Sequence, residues 1–290
     1  MINIHELVTV GISGVSNGSV YAMMALGMAL VYGVSKHFNF AYGSFYMMGG
    51  YLAWFLLSFG APQPVVFATA ISLVFLIGLG VERFTLRPLR VKKEWEMLVV
   101  MSTLGLALLL DNLYLAIFGP HVKSLPHLFN GNISIGGYMI GWEDIGIALI
   151  AVGVIVGILL FLHRTKEGLA MRAVALDMVG AEIVGIPRDK MFSYAFGIAT
   201  ALAAVGGILL APKYFVWHAG GWEIMVKAWV ITVFGGMGSV LGAIYAAFIL
   251  GMVEAIMMWQ VGATWTIVAW FAILIGLFIF RPRGLLGTWG

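Results

Sequence analysis

The sequence contains no cysteine and few charged residues. Only 10% of its 290 residues are Asp, Glu, Lys or Arg, against about 25% in a typical soluble domain. The absence of cysteine excludes a disulfide framework and thiolate metal sites. Hydrophobic residues make up 62% of the chain, which is more than a soluble protein of this length can bury, because surface-to-volume scaling limits burial. We therefore expect an integral membrane protein.

Sequence motifs of enzymes are absent as well. The chain has no G-x-x-x-x-G-K-S/T phosphate loop and no His-Glu-x-x-His metal pair. Its six histidines are scattered along the sequence, whereas a membrane enzyme concentrates titratable groups at one site. The net charge of +3 comes from a few loops and indicates orientation in a membrane rather than nucleic-acid binding. We expect no metal site, no cofactor and no enzymatic activity in this chain.

Long apolar runs dominate the sequence instead. A membrane-spanning helix needs about 20 mostly apolar residues. The seventh run is too short to span alone, and the glycine-rich stretch 235–239 that follows it predicts a broken helix. We therefore predict an all-α fold, a single transmembrane domain over residues 1–290 with about eight to nine membrane segments. The runs are 7–32, 40–59, 64–81, 97–118, 144–162, 191–211, 224–234, 240–258 and 264–280.

Basic residues cluster between the third and fourth runs, between the fifth and sixth, and after the last. Because Lys and Arg favour cytoplasmic loops, these regions are predicted to face the cytoplasm. The loops 119–141 and 212–221 carry only Lys123 and Lys213 as basic residues, so we predict that these loops and the N-terminus face outward. Within 119–141, the pair Asn130-Gly131 between short β-compatible stretches predicts a hairpin.

Polar side chains are rare inside the predicted spans. They are candidates for function because a polar group is costly to place in lipid. A structural role is the alternative, since Ser and Thr bond their own helix backbone and Asn can join two helices. Asn and hydroxyl groups suit a solute pathway because they can exchange hydrogen bonds with a partly desolvated solute and still release it. The candidates for the pathway are Asn17, Ser19, Asn39, Tyr42, Ser44, Ser102 and Thr103.

Pairs of glycines four residues apart occur in three places. This spacing puts both glycines on one helix face and lets helix backbones approach closely in a membrane. We predict helix packing at each pair. The pairs are Gly14 with Gly18, Gly153 with Gly157, and Gly238 with Gly242.

The predicted cytoplasmic segment 163–190 contains two short helical stretches. Gly180 interrupts the helical spacing, and Gly185 and Pro187 end it. The segment lacks the basic face of a helix that lies on a lipid surface, so docking to a protein is the favoured interpretation. Small residues permit close docking, and charged residues can pair with a partner. The candidates for this contact are Arg172, Ala173, Asp177, Ala181, Glu182 and Gly185.

Several stretches, in a consistent order along the chain, resemble LivH-type permeases of branched-chain amino-acid ABC transporters. The first runs from Gly18-Ser19-Val20-Tyr21-Ala22 to Val31-Tyr32-Gly33 and is followed by Asn39-Phe40-Ala41. The second, Met171-Arg172-Ala173-Val174-Ala175, lies in the cytoplasmic segment. Further matching stretches are 203–209, 234–254 and 281–287.

This resemblance implies a permease subunit of an ATP-driven importer in a bacterial or archaeal cytoplasmic membrane. Such a permease pairs with a second, related permease. Two ATPase subunits, which bind ATP and Mg²⁺, dock on cytoplasmic loops that correspond to 163–190 here. A soluble solute-binding protein delivers branched-chain amino acids or similar small solutes at the outer side, and alternating access moves them inward.

The chain departs from the family pattern at two positions. The family usually reads Asn-Phe-Ala-His-Gly-Glu, whereas this chain has Tyr42 and Ser44 in place of the His and the Glu. If these positions line the pathway, its charge preference has changed. The alternative is that both are packing positions.

Three other functions compete with the importer interpretation. An ion-coupled secondary transporter needs buried ionisable groups, for which Asp111, Lys227 and Glu254 are the candidates. A passive channel would conduct a small neutral molecule without ATP. An integral membrane enzyme is disfavoured by the missing motifs.

Overall fold

A computed structural model describes residues 4–129, 131–135, 138–280 and 284–286. This part of the chain forms eleven α-helices and one β-hairpin. The helices are α1 (Ile4–Ser35), α2 (Tyr42–Leu57), α3 (Gln63–Val81), α4 (Trp95–Phe118), α5 (Trp142–Arg164), α6 (Lys166–Leu176), α7 (Met178–Ile183), α8 (Arg188–Tyr214), α9 (Gly221–Gly235), α10 (Val240–Val261) and α11 (Ala263–Phe280).

Six helices of the described residues are long and apolar enough to cross a membrane. They coincide with the first, third, fourth, fifth, sixth and eighth predicted segments. The other three predicted segments coincide with α2 and α9, of 16 and 15 residues, and with α11, where Val268–Phe280 is a shorter apolar stretch. The chain is therefore a multi-pass membrane protein, whereas the count of eight to nine segments and the broken helix near 235–239 stay predictions.

The hairpin lies in the loop between α4 and α5, where the sequence predicts one. Strand β1 (Asn132–Ile135) pairs antiparallel with β2 (Tyr138–Gly141), with Ile135 opposite Tyr138. The predicted turn position was wrong, because Gly131 precedes β1 instead of separating the strands; Asn130 lies outside the described residues. Next to the hairpin, the Glu143 carboxylate accepts the backbone N–H groups of Leu128 and Phe129.

The chain divides into two compact units. The first comprises Met1–Leu26, His127–Ile158 and Lys227–Gly290, and the second comprises Gly27–Pro126 and Leu159–Val226. Helices α1, α5 and α9 each begin in one unit and end in the other.

Close contact between α1 and α10 organises the first unit. A Cβ added to Gly14 would lie 2.9 Å from the Met252 sulfur, and one added to Gly251 would lie 2.5 Å from the Gly18 Cα. These positions therefore admit little more than a hydrogen atom. The other two predicted glycine pairs differ: Gly153 and Gly157 have no described atom within 4 Å of an added Cβ.

The spacing of Gly238 and Gly242 predicts that both lie on one helix face, but Gly238 does not lie in a helix. It precedes α10, whose N-cap is Ser239, and has a φ of 86°. This left-handed conformation suits glycine because it has no Cβ. The residue therefore serves a turn and does not share a helix face with Gly242, which packs against the Gly235 backbone.

Helix α8 is the central helix of the second unit, and α2 and α3 pack along it. Glycines allow this close approach: an added Cβ would meet the Ala204 backbone at Gly49, the Tyr46 carbonyl at Gly207 and the Thr200 hydroxyl at Gly78. Helix α3 continues into a π-helical turn (Glu82–Leu86) and a 3₁₀ turn (Arg87–Val91), where Pro88 removes one backbone donor.

Candidate functional site

An irregular segment, residues 36–41, separates α1 from α2 in the second unit. Helix α1 ends at Ser35, and Lys36 has a φ of 62° that turns the chain. The Asn39 side-chain oxygen then accepts the Ala41 N–H at 3.0 Å, a local bond that competes with helix formation. The segment is largely buried, since His37 is 8% exposed and Asn39 is 3% exposed. We call it the α1–α2 break.

The α1–α2 break runs alongside α4, a candidate membrane span. At one end, the His37 ring lies 4.8 Å from the ring of Trp95, the first residue of α4. Beyond the other end, in the first turn of α2, the Ser44 hydroxyl donates to Asp111 Oδ1 at 2.9 Å and lies 3.4 Å from the Ala107 carbonyl oxygen. Trp95 and Ala107 are roughly 18 Å apart along a helix. Non-helical backbone inside a membrane must be buried in protein or line water, and this segment is buried in protein.

A hydrogen-bonded group joins α2, α4 and α9 beside the break. Asp111 accepts from the Ser44 hydroxyl on Oδ1 and from the Trp222 indole N–H on Oδ2, the latter at 2.7 Å. The Tyr114 hydroxyl donates to the Ser44 backbone carbonyl at 2.9 Å. Asp111 is 7% exposed, so a carboxylate adjoins Ser44, where family members usually carry a Glu. The sequence identified Asp111 as ionisable but not its contact with Ser44.

Tyr42, the other departure from the family pattern, is fully buried. A Cβ added to Gly27 of α1 would lie 2.7 Å from the Tyr42 hydroxyl oxygen. The ring therefore packs tightly against α1, which favours the packing interpretation at this position over a pathway role.

A small cavity lies within the second unit, next to the break. Its lining includes the pathway candidates Asn39 and Thr103 but not Ser102, which is partly exposed. The Thr103 hydroxyl donates to the Val100 carbonyl of its own helix, as expected for a structural Thr in a membrane helix.

Four charged side chains form a cluster, Glu82, Arg87, Arg90 and Asp189, on the side of the cavity towards the α8 N-terminus. Arg90 donates to Glu82 at 2.5 Å and to Asp189 at 3.4 Å, and Arg87 donates to Asp189 at 3.1 Å. The Ser193 hydroxyl also donates to Glu82. Burial, with a smaller effect of the Arg90 charge, lowers the pKa of His37 to about 4, so this imidazole is neutral at physiological pH.

The predicted docking segment forms helices α6 and α7. The Asp177 side chain caps α7 by accepting the backbone N–H groups of Val179 and Gly180, both at 3.0 Å. Glu182 lies 3.8 Å from Arg188, and Ala181 is buried within the chain. Asp177 therefore has a structural role. Ala181 itself is buried, and residues near it form the accessible surface of the docking segment. Four exposed apolar side chains belong to that surface: Leu176, Val179, Ile183 and Val184.

A single hydrogen bond links the docking segment to the break. Lys36 Nζ donates to the Ala175 carbonyl near the end of α6 at 3.1 Å. This bond joins the end of α6 to the first residue of the α1–α2 break.

The remaining pathway candidates, Asn17 and Ser19, lie on α1 in the first unit and are buried. The Ser19 hydroxyl donates to the Ser16 carbonyl of the same helix at 2.8 Å. The structure thus groups Asn39, Thr103 and Ser44 in the second unit, while these two belong to the first.

The first unit contains a buried ion pair that the sequence identified only as separate residues. Lys227 Nζ lies 2.8 Å from Glu254 Oε1, and the Tyr21 hydroxyl donates to the same oxygen at 3.2 Å. The Tyr21 ring meets the Trp270 ring edge to face at 5.8 Å. Among the described residues, no group of three or more His, Cys, Asp or Glu side chains could hold a metal ion.

Comparison with known proteins identifies related permeases. A family model described as the permease component of branched-chain amino acid transport systems matches residues 11–281. The chain is 32% identical to the branched-chain amino acid permease BraD of Pseudomonas aeruginosa and 31% identical to LivH of Escherichia coli K12. Each match covers 95% of this chain and 94% of the relative.

More distant similarities extend this comparison. The Escherichia coli K12 permease LivM is 26% identical, over 92% of this chain and 68% of LivM. A solved structure of PsaBC from Streptococcus pneumoniae in complex with Fab aligns with a TM-score of 0.53 at 13% identity, covering 96% of this chain and 93% of that one. This last likeness concerns the fold alone.

Proposed function

Because the chain belongs to the family of branched-chain amino acid transport permeases, we propose that it is the membrane-spanning subunit of an ATP-driven importer for branched-chain amino acids or similar small solutes. The observation that carries this proposal is the α1–α2 break. It places non-helical backbone and polar side chains beside a membrane-spanning helix, which is the arrangement that transporters use to bind solutes within the membrane.

The docking segment supports coupling to separate ATPase subunits. Monomeric soluble surfaces rarely gather several large apolar side chains without a partner, and α6 and α7 expose Leu176, Val179, Ile183 and Val184. Closure of an ATPase dimer would move this surface. The bond from Lys36 to Ala175 would carry the movement to the break, and Asp189 would carry it to Arg87 and Arg90.

The assembly needs further partners. A second permease of the LivM kind would complete the membrane part, two ATPases would bind ATP and Mg²⁺, and a soluble binding protein would deliver the solute at the outer face. The membrane would be the bacterial or archaeal cytoplasmic membrane. Within this chain, Ser44 and Asp111 would contact the solute, because their side chains are hydrogen-bonded to each other beside the break.

The proposal is tested by uptake into liposomes that contain the complex purified from its native membrane. Labelled leucine, isoleucine or valine should accumulate inside the liposomes only when ATP is enclosed with the ATPases and solute-bound binding protein is present outside. Ile183→Asp places a charge in the apolar docking surface and should abolish both copurification of the ATPase and uptake. The control is Lys92→Asp, an exposed substitution elsewhere on the predicted cytoplasmic side, which should leave both unchanged.

Two outcomes would overturn the proposal. Recovery of the chain without an ATPase, under conditions that preserve a known ABC complex, would remove the energy source. Uptake by the purified chain alone, driven by a proton or sodium gradient, would favour a secondary transporter. The Lys227–Glu254 pair would then be the first candidate for its ion site.

A further inference from the structure

The cavity beside the α1–α2 break has an apolar wall and a polar end. Its wall is formed by α1, α4, α8 and the 3₁₀ turn after α3, and most of its lining residues are buried. The space open to the centre of a water molecule is about 20 Å³. One water requires roughly 10–15 Å³ by the same measure, so the cavity is large enough for one water and too small for an amino acid.

Three buried polar atoms on its lining residues have no hydrogen-bond partner among the described residues. They are Asn39 Nδ2, Arg90 Nε and His37 Nδ1. The Arg90 side chain is 8% exposed, similar to His37. Buried polar groups are nearly always paired, and each unpaired one destabilises the fold by about 1–3 kcal/mol. Three of them around one cavity indicate a shared ligand.

The nearby hydroxyl groups do not serve as hydrogen-bond partners for these three atoms. Ser35 donates to the Val31 carbonyl at 2.8 Å, and Thr103 donates to the Val100 carbonyl at 3.0 Å. Each is therefore engaged within its own helix.

The charges around the cavity select a neutral ligand. Arg90 and Arg87 are balanced by Glu82 and Asp189 through the ion pairs described above, and His37 is neutral at physiological pH. An additional buried anion would be uncompensated, which is strongly unfavourable in a low-dielectric interior. The donors and acceptors also fit a neutral molecule that both accepts and donates.

We propose that this cavity is a binding site for one water molecule, held by Asn39, Arg90 and His37. The water accepts from Asn39 Nδ2 and Arg90 Nε and donates to His37 Nδ1, with the imidazole proton on Nε2. It thereby joins the α1–α2 break to the charged cluster at the start of α8. This inference rests on the geometry of the second unit and does not require that the solute be an amino acid.

The direct test is a structure of the complete transporter at a resolution that shows other buried waters, from crystals grown in bromide. We expect one solvent peak within hydrogen-bond distance of Asn39 Nδ2 and Arg90 Nε, without an anomalous bromide signal. An anomalous peak there would mean that the cavity binds a halide ion and not water, which would refute the proposal. A featureless cavity, in a map that resolves comparable waters, would refute the proposal.

A stability measurement gives an independent answer through its sign. Ala195→Val fills part of the cavity from α8. Filling a dry apolar cavity stabilises a protein, whereas expelling a bound water leaves its three partners unpaired. We therefore expect the thermal midpoint of the complex to fall by several degrees relative to Ala201→Val, a partly exposed control on the same helix. A rise relative to that control would contradict a water site. ATP-driven uptake by the wild-type complex is measured separately, so failure of the water site and failure of the proposed function remain distinguishable.

Discussion

Asp111 is the acidic side chain that the structure places against Ser44, beside the break. It holds the Ser44 hydroxyl and the Trp222 indole N–H on separate oxygens. A carboxylate in a largely buried position attracts a cationic group far more strongly than in water, because the local dielectric is low. Under the proposed function, this carboxylate would contact the ammonium group of the solute.

Replacement of Asp111 by Asn should slow amino-acid uptake strongly. We expect the maximal rate in proteoliposomes with saturating binding protein to fall at least about tenfold, equivalent to roughly 1.4 kcal/mol. Ser44→Ala removes one hydrogen bond to Asp111 but keeps the carboxylate itself, so it should have a smaller effect. Asn112→Ala is the control, because Asn112 is exposed and donates to Leu108 of its own helix. An equal loss in all three variants would indicate general damage to the packing of α2 and α4.

The neutral state of His37 makes stability depend on pH. Its pKa is about 4 in the folded protein and about 6.5 in the unfolded chain. Below pH 6.5 the unfolded chain therefore binds a proton that the folded protein does not, and stability falls as pH decreases towards 4. At pH 4.5 the loss relative to pH 7.5 should reach roughly 2–3 kcal/mol. The thermal midpoint of the His37→Gln variant should change less with pH over this range than that of the wild type. Identical pH profiles for the two proteins would place His37 in contact with solvent.

Packing of α2 against α8 depends on glycines at the contact. Gly207→Ala would push a Cβ into the Tyr46 carbonyl, and overpacking of this kind destabilises by about 1–3 kcal/mol. Gly105→Ala on α4 has no described atom within 4 Å of the added Cβ and should be neutral or stabilising by up to about 1 kcal/mol, because Ala favours a helix. Thermal unfolding in detergent distinguishes the two. Equal midpoints would mean that α2 and α8 separate more easily than their contact indicates.

Apolar run length predicted the long helices well. It did not predict how the segments between them pack. Hydropathy identifies α1, α3, α4, α5, α8 and α10 because each contains a continuous apolar stretch long enough to cross a membrane. The gap between the first two apolar runs, residues 33–39, already lies close to the α1–α2 break, because Lys36, His37 and Asn39 interrupt the hydropathy. What hydropathy could not show is that this segment is buried against α4 instead of forming an exposed loop. Spacing likewise places Gly153 and Gly157 on one face of α5, yet it carries no information about which element covers that face.

The polar candidates show the same division between composition and contact. A list of intramembrane polar residues includes Ser44 and Asn39, but it cannot pair Ser44 with Asp111, 67 positions away. The same holds for Lys227 and Glu254, which are 27 positions apart and form a buried ion pair. Such pairs depend on helix packing, which local sequence patterns do not specify.

The docking segment, the break and the Ser44–Asp111 contact all belong to the second unit. Under the proposed function, a displacement of α6 would reach the break through the bond from Lys36 to Ala175, both of which lie in this unit. The Lys227–Glu254 pair belongs to the first unit, where removal of one partner would leave an uncompensated buried charge. The proposed coupling residues are thus concentrated in one part of the chain, and the proposal requires that α6 and α7 face the cytoplasm.

That orientation can be tested cleanly because the chain contains no cysteine. Val122→Cys, exposed in the predicted outer loop, should react with a membrane-impermeant maleimide in intact cells; Val184→Cys, exposed after α7, should react only after permeabilisation. The opposite labelling pattern would mean that the chain has the inverted orientation in the membrane, which would exclude ATPase docking on α6 and α7. In the assembled transporter, Val184→Cys should also react more slowly than Lys92→Cys, since the ATPase would cover the former. Equal rates in the complex would place the docking surface elsewhere on the cytoplasmic face.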